Sequence, residues 1–252
     1  MCFRNALSAK YQKLAQKYGK LLNVVEMYQE VYGEKYHINA FTNPLCPVIT
    51  PDPQIQLYYW GLLPNWLRVT GDYQSNQKAI QAMRSKTYNA RSETIFEKST
   101  FRTPVLKSRC LIPSTGYFEH HHETNGTKTP YFIHLKNTGL FSMAGIYDRW
   151  KSPAGDEIYS FSLITTPANE LTGWIHNGGS NGGRMPLILS EEDEMKWLQP
   201  DLSYDEITAL MQTYPAENMQ GYAIKSDFLK KNPFDPTILE PENMKTTSLF
   251  PG

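Results

Sequence analysis

The most reactive pair of atoms that this sequence can offer lies at its start, in the segment Met-Cys-Phe-Arg over residues 1–4. If Met1 is removed, Cys2 carries a free α-amine beside its thiol. The reference pKa values are about 8 for an α-amine and about 8.5 for a thiol, so part of the amine is unprotonated at neutral pH. Such a 1,2-aminothiol condenses with an aldehyde to an imine, and the thiol then closes a thiazolidine ring. The segment therefore predicts a covalent reaction of Cys2 with a carbonyl.

Three other polar side chains have types that could assist this reaction. Asn89 opens a polar segment that is, on its own, typical of a turn leading into a helix. Glu119 lies in a predicted strand, on the face that it shares with Tyr117 and His121. A half-buried carboxylate there could have a raised pKa and act as a general acid or base, although a salt-bridged carboxylate explains it equally. His176 alone is as well explained as a hydrogen-bonded core histidine.

Charge is distributed unevenly along the chain, although 25 Lys and Arg residues balance 25 Asp and Glu residues. Zero net charge excludes a uniformly basic nucleic-acid binder, so any such surface must be local. Residues 84–109 contain seven basic and two acidic residues, whereas residues 190–206 contain seven acidic residues and one lysine. The basic segment indicates either a solvated loop or a groove for a polyanion.

The length of 252 residues fits one large domain or two small ones. No apolar run approaches the roughly 18 residues of a transmembrane helix, and the first 20 residues lack the apolar block of a secretory signal. Three scattered cysteines are too few for a disulfide framework. We therefore expect a cytoplasmic protein with reduced thiols and no membrane partner.

Short β-rich segments recur between turn signals and predict an α+β fold. They are residues 56–60, 110–112, 116–122, 131–135, 141–147 and 159–165. Asn125-Gly126 predicts a hairpin, Ser8 a cap for a helix over 9–18, and Ser190 and Ser203 capping boxes. We expect a single domain over residues 1–233 with a bent, mostly antiparallel, barrel-like sheet and peripheral helices. A Pro-rich tail follows over residues 234–252.

Eight motifs, all in the same order, resemble those of the SRAP (SOS response-associated peptidase) family. They are Met-Cys-Phe-Arg (1–4), Tyr-His-Ile-Asn-Ala (36–40), Trp-Gly-Leu-Leu-Pro-Asn-Trp (60–66), Asn-Ala-Arg-Ser-Glu-Thr (89–94), Arg-Cys-Leu-Ile-Pro-Ser-Thr-Gly-Tyr-Phe-Glu-His (109–120), Ala-Gly-Ile-Tyr-Asp-Arg-Trp (144–150), Thr-Thr-Pro-Ala-Asn (165–169), and Ile-His (175–176) with Arg-Met-Pro (184–186). The resemblance spans nearly the whole chain, to about Pro233.

The resemblance implies a DNA-damage protein that binds single-stranded DNA and captures abasic sites through a thiazolidine bond from Cys2, after Met1 is lost. It also implies removal of Met1 by the protein itself, possible strand-cleaving lyase chemistry, and no cofactor or metal. Carried over by motif, Asn89 orients the α-amine and the sugar. Glu119 acts as acid and base in imine formation and ring closure. His176 moves a proton to or from the sugar ring oxygen.

The same resemblance implies the residues that bind DNA. Arg4 and Arg91 would clamp phosphates beside the lesion. Trp60 and Trp66 would stack on bases, as aromatic side chains do in many single-strand binders. Thr165 matches a position near the DNA backbone. We expect the protein to act as a monomer.

The sequence departs from the family pattern at several places. Phe3 stands where glycine is usual, and His120 where tryptophan is usual. A glycine-rich insert, residues 178–183, separates His176 from Arg-Met-Pro and predicts a more mobile histidine loop.

Three other functions are compatible with parts of the sequence. The first is an N-terminal-nucleophile amidohydrolase, in which Cys2 attacks an amide with its own α-amine as base. The second is a metal site in the run Glu-His-His-His-Glu over residues 119–123, of which only half the side chains share one strand face. The third is a non-covalent single-strand binder with an inert Cys2.

Overall fold

The computed structural model describes residues 2–21, 33–70, 73–180 and 182–242. Met1, Asn181 in the glycine-rich insert and residues 243–252 of the expected tail lie outside the described residues. The strands are β1 Arg4–Leu7, β2 Lys35–Asn39, β3 Leu45–Val48, β4 Gln56–Trp60, β5 Asn89–Arg91, β6 Arg109–Ser114, β7 Gly116–His122, β8 Lys128–Leu135, β9 Phe141–Lys151, β10 Glu157–Pro167, β11 Arg184–Pro186, β12 Ile188–Leu189 and β13 Met219–Ala223. The α-helices are α1 Tyr11–Tyr18, α2 Tyr73–Thr87, α3 Ser99–Lys107, α4 Glu170–Ile175, α5 Glu191–Trp197 and α6 Tyr204–Leu210.

The strands form two sheets, with the helices outside them. The five-stranded sheet has the order β13-β8-β7-β1-β2. The eight-stranded sheet has the path β12-β9-β10-β4-β3, with β5 and β11 also paired to β10 and β6 to β9. Only β4 and β5 pair in parallel with β10; the other ladders are antiparallel. The α+β class and the mostly antiparallel pairing are confirmed, and no closed barrel forms among the described strands.

The chain changes from one sheet to the other at Thr115. β6 pairs with β9 in the eight-stranded sheet, and β7 pairs with β1 and β8 in the five-stranded sheet. Gly116 follows the change of sheet, and a Cβ built there would lie 2.2 Å from the Phe132 ring. Only glycine therefore fits this close approach, which directs β7 and its carboxylate Glu119 away from the preceding strand.

Most local predictions are confirmed. All six β-rich segments lie in strands, and Asn125-Gly126 lies in the turn that joins β7 to β8, with Gly126 at φ 84°. The capping box at Ser203 is confirmed, with Glu206 as its partner. At Ser190 only half of the predicted box forms, because the side chain caps α5 without the reciprocal bond from Asp193.

The predicted cap at Ser8 is wrong. Helix α1 begins at Tyr11, and Lys10 precedes it without a side-chain cap. The Ser8 hydroxyl lies 3.0 Å from the Thr115 hydroxyl, so it is used where the chain changes sheet. None of the described helices is long and apolar enough to cross a lipid bilayer.

Candidate active site

Cys2 lies immediately before β1 and is completely buried. Its thiol donates a hydrogen bond to the Arg4 carbonyl oxygen at 3.4 Å. Burial, and secondarily the nearby Glu119 carboxylate, raise the pKa of the thiol above its usual value. In the β1–β7 ladder Asn5 pairs with Tyr117, and because the two strands are antiparallel, the residues before Asn5 run toward Glu119. The ladder thus explains how Cys2 and Glu119 come together.

Glu119 is 7% exposed and has an unusual electrostatic environment. Its Oε1 atom has no hydrogen-bond partner among the described residues, and its Oε2 atom lies 3.7 Å from His176 Nε2. Burial raises the pKa of the carboxyl to about 8. At neutral pH most of this group is therefore a carboxylic acid, which can donate a proton and then take one back.

His176 follows the last turn of α4, a helix that Asn169 caps by accepting a hydrogen bond from the Thr172 backbone N–H at 2.9 Å. The His176 Nδ1 atom lies 3.0 Å from the Arg184 carbonyl oxygen. A carbonyl can only accept, so Nδ1 carries the proton and Nε2 presents a lone pair toward Glu119. Burial lowers the pKa of His176 to about 4, which leaves the ring neutral at neutral pH.

Asn89 begins β5 and pairs with Leu163 of β10. Its side chain is buried, and neither its amide oxygen nor its amide nitrogen has a hydrogen-bond partner among the described residues. Buried polar groups are almost always hydrogen-bonded, because an unpaired one costs about 1–3 kcal/mol. The Asn89 amide is therefore available to a ligand.

Arg184 and Glu93 form an ion pair that the sequence did not reveal. The two guanidinium nitrogens Nη1 and Nη2 lie 2.6 Å and 2.8 Å from the two carboxylate oxygens. This bidentate contact lowers the pKa of Glu93 to about 2. The Arg184 carbonyl also accepts the hydrogen bond from His176 Nδ1–H. Arg184 therefore connects the segment that follows Asn89 with the histidine. Both residues belong to recognised motifs, but no periodicity relates positions so far apart.

Two open grooves meet at Phe3, whose ring stacks on Phe41 at 4.9 Å. The first, here called the basic groove, has a volume of about 500 Å³. Its lining includes Phe3, Lys86, Asn89, Arg91, Thr94, Lys98 and Phe101. The second, here called the Glu119 pocket, has a volume of about 420 Å³. Its lining includes Phe3, Arg4, Glu119, His120, His122, Lys128, His176 and Gly178.

Only part of the basic segment 84–109 reaches the surface. Arg109 is buried and donates to the carbonyls of Val105, Leu106 and Trp197, and Arg84 is buried with its guanidinium 4.9 Å from the Tyr59 ring centroid. These two arginines stabilise the fold instead of facing solvent. The exposed members are Lys86, Arg91, Lys98, Arg102 and Lys107.

The predicted DNA-binding residues differ in their accessibility to a ligand. Trp66 is 44% exposed, and the half-buried Arg4 has an Nε atom without a hydrogen-bond partner in the described part of the chain. Trp60 is 2% exposed, and its indole N–H donates to the Tyr88 carbonyl at 2.9 Å. A base can stack only on an accessible ring, so the prediction for Trp60 is wrong. Thr165 is completely buried and accepts from Arg184 Nε at 3.2 Å, which likewise keeps it from a DNA backbone.

The histidine run and the glycine-rich insert contact each other. The His122 backbone N–H donates to the Asn177 side-chain oxygen at 2.8 Å, and the Asn177 amide donates to the His122 carbonyl at 3.1 Å. The His122 ring also occupies the space that a Cβ at Gly178 would need. The start of the insert is thus held against β7. Within the described ranges, no group of three or more His, Cys, Asp or Glu side chains is arranged to hold a metal ion.

Comparison with known proteins identifies a family and several relatives of this chain. The family model for the SOS response associated peptidase (SRAP) matches residues 1–230. The abasic site processing protein YoqW of Bacillus subtilis is 33% identical over 232 residues, which cover 90% of this chain and 93% of YoqW. The abasic site processing protein HMCES of Gallus gallus is 31% identical over 66% of this chain and 51% of its own length.

Two solved structures share the fold of this chain. A crystal structure of a Bacteroides thetaiotaomicron protein has a TM-score of 0.89 and 48% identity, covering 95% of this chain and 99% of the other. A Bordetella bronchiseptica protein at 22% identity, with a TM-score of 0.72, shares the fold over 89% of this chain and 100% of its own.

Proposed function

The chain belongs to the SRAP family, and from this premise we propose that it captures abasic sites in single-stranded DNA through a thiazolidine bond from Cys2. The proposal depends chiefly on one observation: the thiol at the second position is buried beside a carboxyl with a pKa of about 8, which in turn lies against a neutral histidine. The names of the relatives, which describe abasic site processing, support the same substrate.

DNA recognition is assigned to the exposed cations and to one accessible aromatic ring. Arg91 and Lys98 line the basic groove, and Arg4 lines the Glu119 pocket, so phosphates on both sides of Phe3 can be neutralised. Trp66 is exposed and can stack on a base. The abasic sugar then enters the Glu119 pocket.

Opening of the sugar is the first chemical step. Neutral His176 takes the proton of the C1′ hydroxyl on Nε2 and, as imidazolium, returns it to the ring oxygen. The C1′–O bond of the ring breaks, and a free aldehyde forms. The Nδ1–H bond to the Arg184 carbonyl keeps Nε2 free to carry out both transfers.

Capture requires that Met1 has been removed, because an amide nitrogen is not basic. We propose that the chain removes Met1 itself, using the same Cys2 site. The free α-amine, oriented by the Asn89 amide, adds to the aldehyde and gives a carbinolamine. Protonated Glu119 donates a proton to the departing hydroxyl, so that water leaves and an iminium forms. The Glu119 carboxylate takes the proton of the Cys2 thiol as sulfur bonds to the iminium carbon, which closes the thiazolidine and restores the acid.

The iminium also offers a route to strand cleavage. An iminium at C1′ acidifies the adjacent carbon, and loss of a proton there expels the 3′ phosphate. We propose this lyase reaction as a slow alternative to ring closure.

Intact-protein mass spectrometry with a single-stranded abasic oligonucleotide tests the proposal. Met1-free protein should gain the oligonucleotide mass less one water. Cys2→Ser should form at most a labile imine that borohydride can trap, whereas Cys46→Ala, which removes another buried thiol, should still give the adduct. No adduct from Met1-free protein, or a durable adduct from Cys2→Ser, would contradict the mechanism. An amidohydrolase would also give no adduct.

A further inference from the structure

Besides the side chains that line the two grooves, a group of aromatic side chains lies close to Glu119 and His176, and the proposed reaction does not use it. Its members are three aromatic rings: Trp174 on α4, His121 on β7 and Tyr131 on β8. The Trp174 and His121 rings stack, with centroids 4.3 Å apart and an angle of 22° between their planes. Tyr131 meets the indole edge-on, at 5.7 Å and 89°. We call this group the Trp174 platform.

The Trp174 platform is continuous with the catalytic pair. Glu119 contacts His176, and His121, the next residue on the same face of β7, stacks on Trp174. On the neighbouring strand, Tyr131 pairs directly with Glu119 in the β7–β8 ladder and lies on the same face of the sheet. Two successive residues of one face of β7, Glu119 and His121, thus contact the C-terminal end of α4, at His176 and at Trp174.

Trp174 is fixed in place but remains 44% exposed. The His121 ring lies against the indole, and the His121 Nδ1–H donates to the Trp174 carbonyl at 2.8 Å. The indole offers a large apolar face to a planar ligand, and tryptophan is enriched at binding surfaces for this reason. Because its neighbours already hold it, ordering this ring on binding costs little entropy.

We propose that Trp174 is a stacking subsite for an unpaired nucleobase next to the abasic residue. The inference rests on the proposed function, because it names how the same DNA is held. An abasic sugar has no base of its own to stack, so the strand must be held by a neighbouring nucleotide. Stacking on an aromatic ring suits any base, which is what a protein that meets lesions in all sequence contexts needs.

Equilibrium binding to an oligonucleotide with a tetrahydrofuran spacer tests this subsite, because that spacer cannot open to an aldehyde. Trp174→Ala should weaken binding about tenfold, and Trp174→Phe should restore most of the loss. Met195→Ala, which truncates an exposed apolar side chain outside both grooves, is the matched control. A second spacer is then placed at each flanking position in turn. At one adjacent position, base removal should weaken the wild type but not Trp174→Ala.

A binding constant of Trp174→Ala equal to that of the wild type would overturn the subsite, as would equal losses for both proteins at every position. Should Trp174→Ala fail to fold, tryptophan fluorescence decides: DNA should quench the wild type more than Trp174→Phe, and equal quenching contradicts the subsite. Covalent capture of a natural abasic site is measured in parallel. If capture occurs but no flanking base depends on Trp174 for its effect on binding, only the subsite is contradicted. If capture does not occur, the proposed function is contradicted.

Discussion

The basic groove and the Glu119 pocket share Phe3 but differ in nearly every physical respect. The basic groove presents the exposed cations Lys86, Arg91 and Lys98. The Glu119 pocket holds two buried groups, and burial raises the pKa of Glu119 to about 8 and lowers that of His176 to about 4. Exposed cations attract the phosphates of a polyanion, whereas a buried carboxyl with a raised pKa can donate a proton near neutral pH. The comparison predicts that the exposed cations of the basic groove contribute to DNA affinity, and that Glu119 and His176 in the other pocket contribute to the rate of capture.

Replacing the acid in the Glu119 pocket should have the largest effect. In Glu119→Gln, single-turnover adduct formation should slow about 100-fold, because an amide can neither donate nor regain the proton. Binding to a tetrahydrofuran oligonucleotide should remain the same. Glu97→Gln, which alters an exposed carboxylate that lines neither groove, serves as control. An unchanged rate would remove Glu119 from the mechanism, and a large loss of affinity would break the division between the grooves.

The dependence of the capture rate on pH should reflect the ionisation of the Glu119 carboxyl. The rate rises with pH up to about 8 as the α-amine loses its proton, and falls above about 8 as Glu119 becomes a carboxylate. The falling limb should lose about tenfold per pH unit. It should be absent from Glu119→Gln, and a falling limb of equal slope in that variant would assign it to another group.

Removing a cation from the basic groove should change affinity instead of rate. Arg91→Ala should weaken single-stranded DNA binding severalfold and reduce the salt slope by about 1, since one phosphate contact is lost. The rate at saturating DNA should stay the same. Lys107→Ala alters an exposed cation that does not line the groove and should leave the slope unchanged. A normal slope in Arg91→Ala would show that Arg91 does not contact phosphate.

The prediction with the smallest effect on DNA binding and capture concerns stability. Because the pKa of Glu119 is raised on folding from about 4.3 to about 8, the folded state retains a proton that the unfolded state releases between these values. Wild-type stability should therefore decline as pH rises through this window, and Glu119→Gln should decline less, by roughly 3–4 kcal/mol at pH 8 relative to pH 5. Urea unfolding of both proteins at the two pH values measures this. Parallel declines would mean that Glu119 ionises normally.

Local features of the sequence predicted the strands well, because alternation and turn residues act over a few positions. The same locality explains the error at Trp60. In β4 successive side chains face opposite sides, so burial of Trp60 leaves Tyr59 as the more exposed aromatic residue. A motif specifies that Trp60 is present, but the register of the strand decides whether its ring reaches solvent.

Long-range pairings were less predictable. Motifs alone led to the roles proposed for Cys2 and Glu119, and the β1–β7 ladder brings the two residues together. The Arg184–Glu93 ion pair and the change of sheet at Thr115 depend on how distant segments pack. Such contacts have no local pattern in the sequence, so only the folded chain reveals them.

The complete burial of Cys2 bears on how the protein withstands oxidants. Peroxides attack the thiolate and not the thiol, and here burial keeps the sulfur protonated and out of reach of solvent. Low-molecular-weight electrophiles meet the same barrier. In the proposed mechanism, Cys2 can thereby remain chemically intact until a strand delivers an abasic site into the pocket.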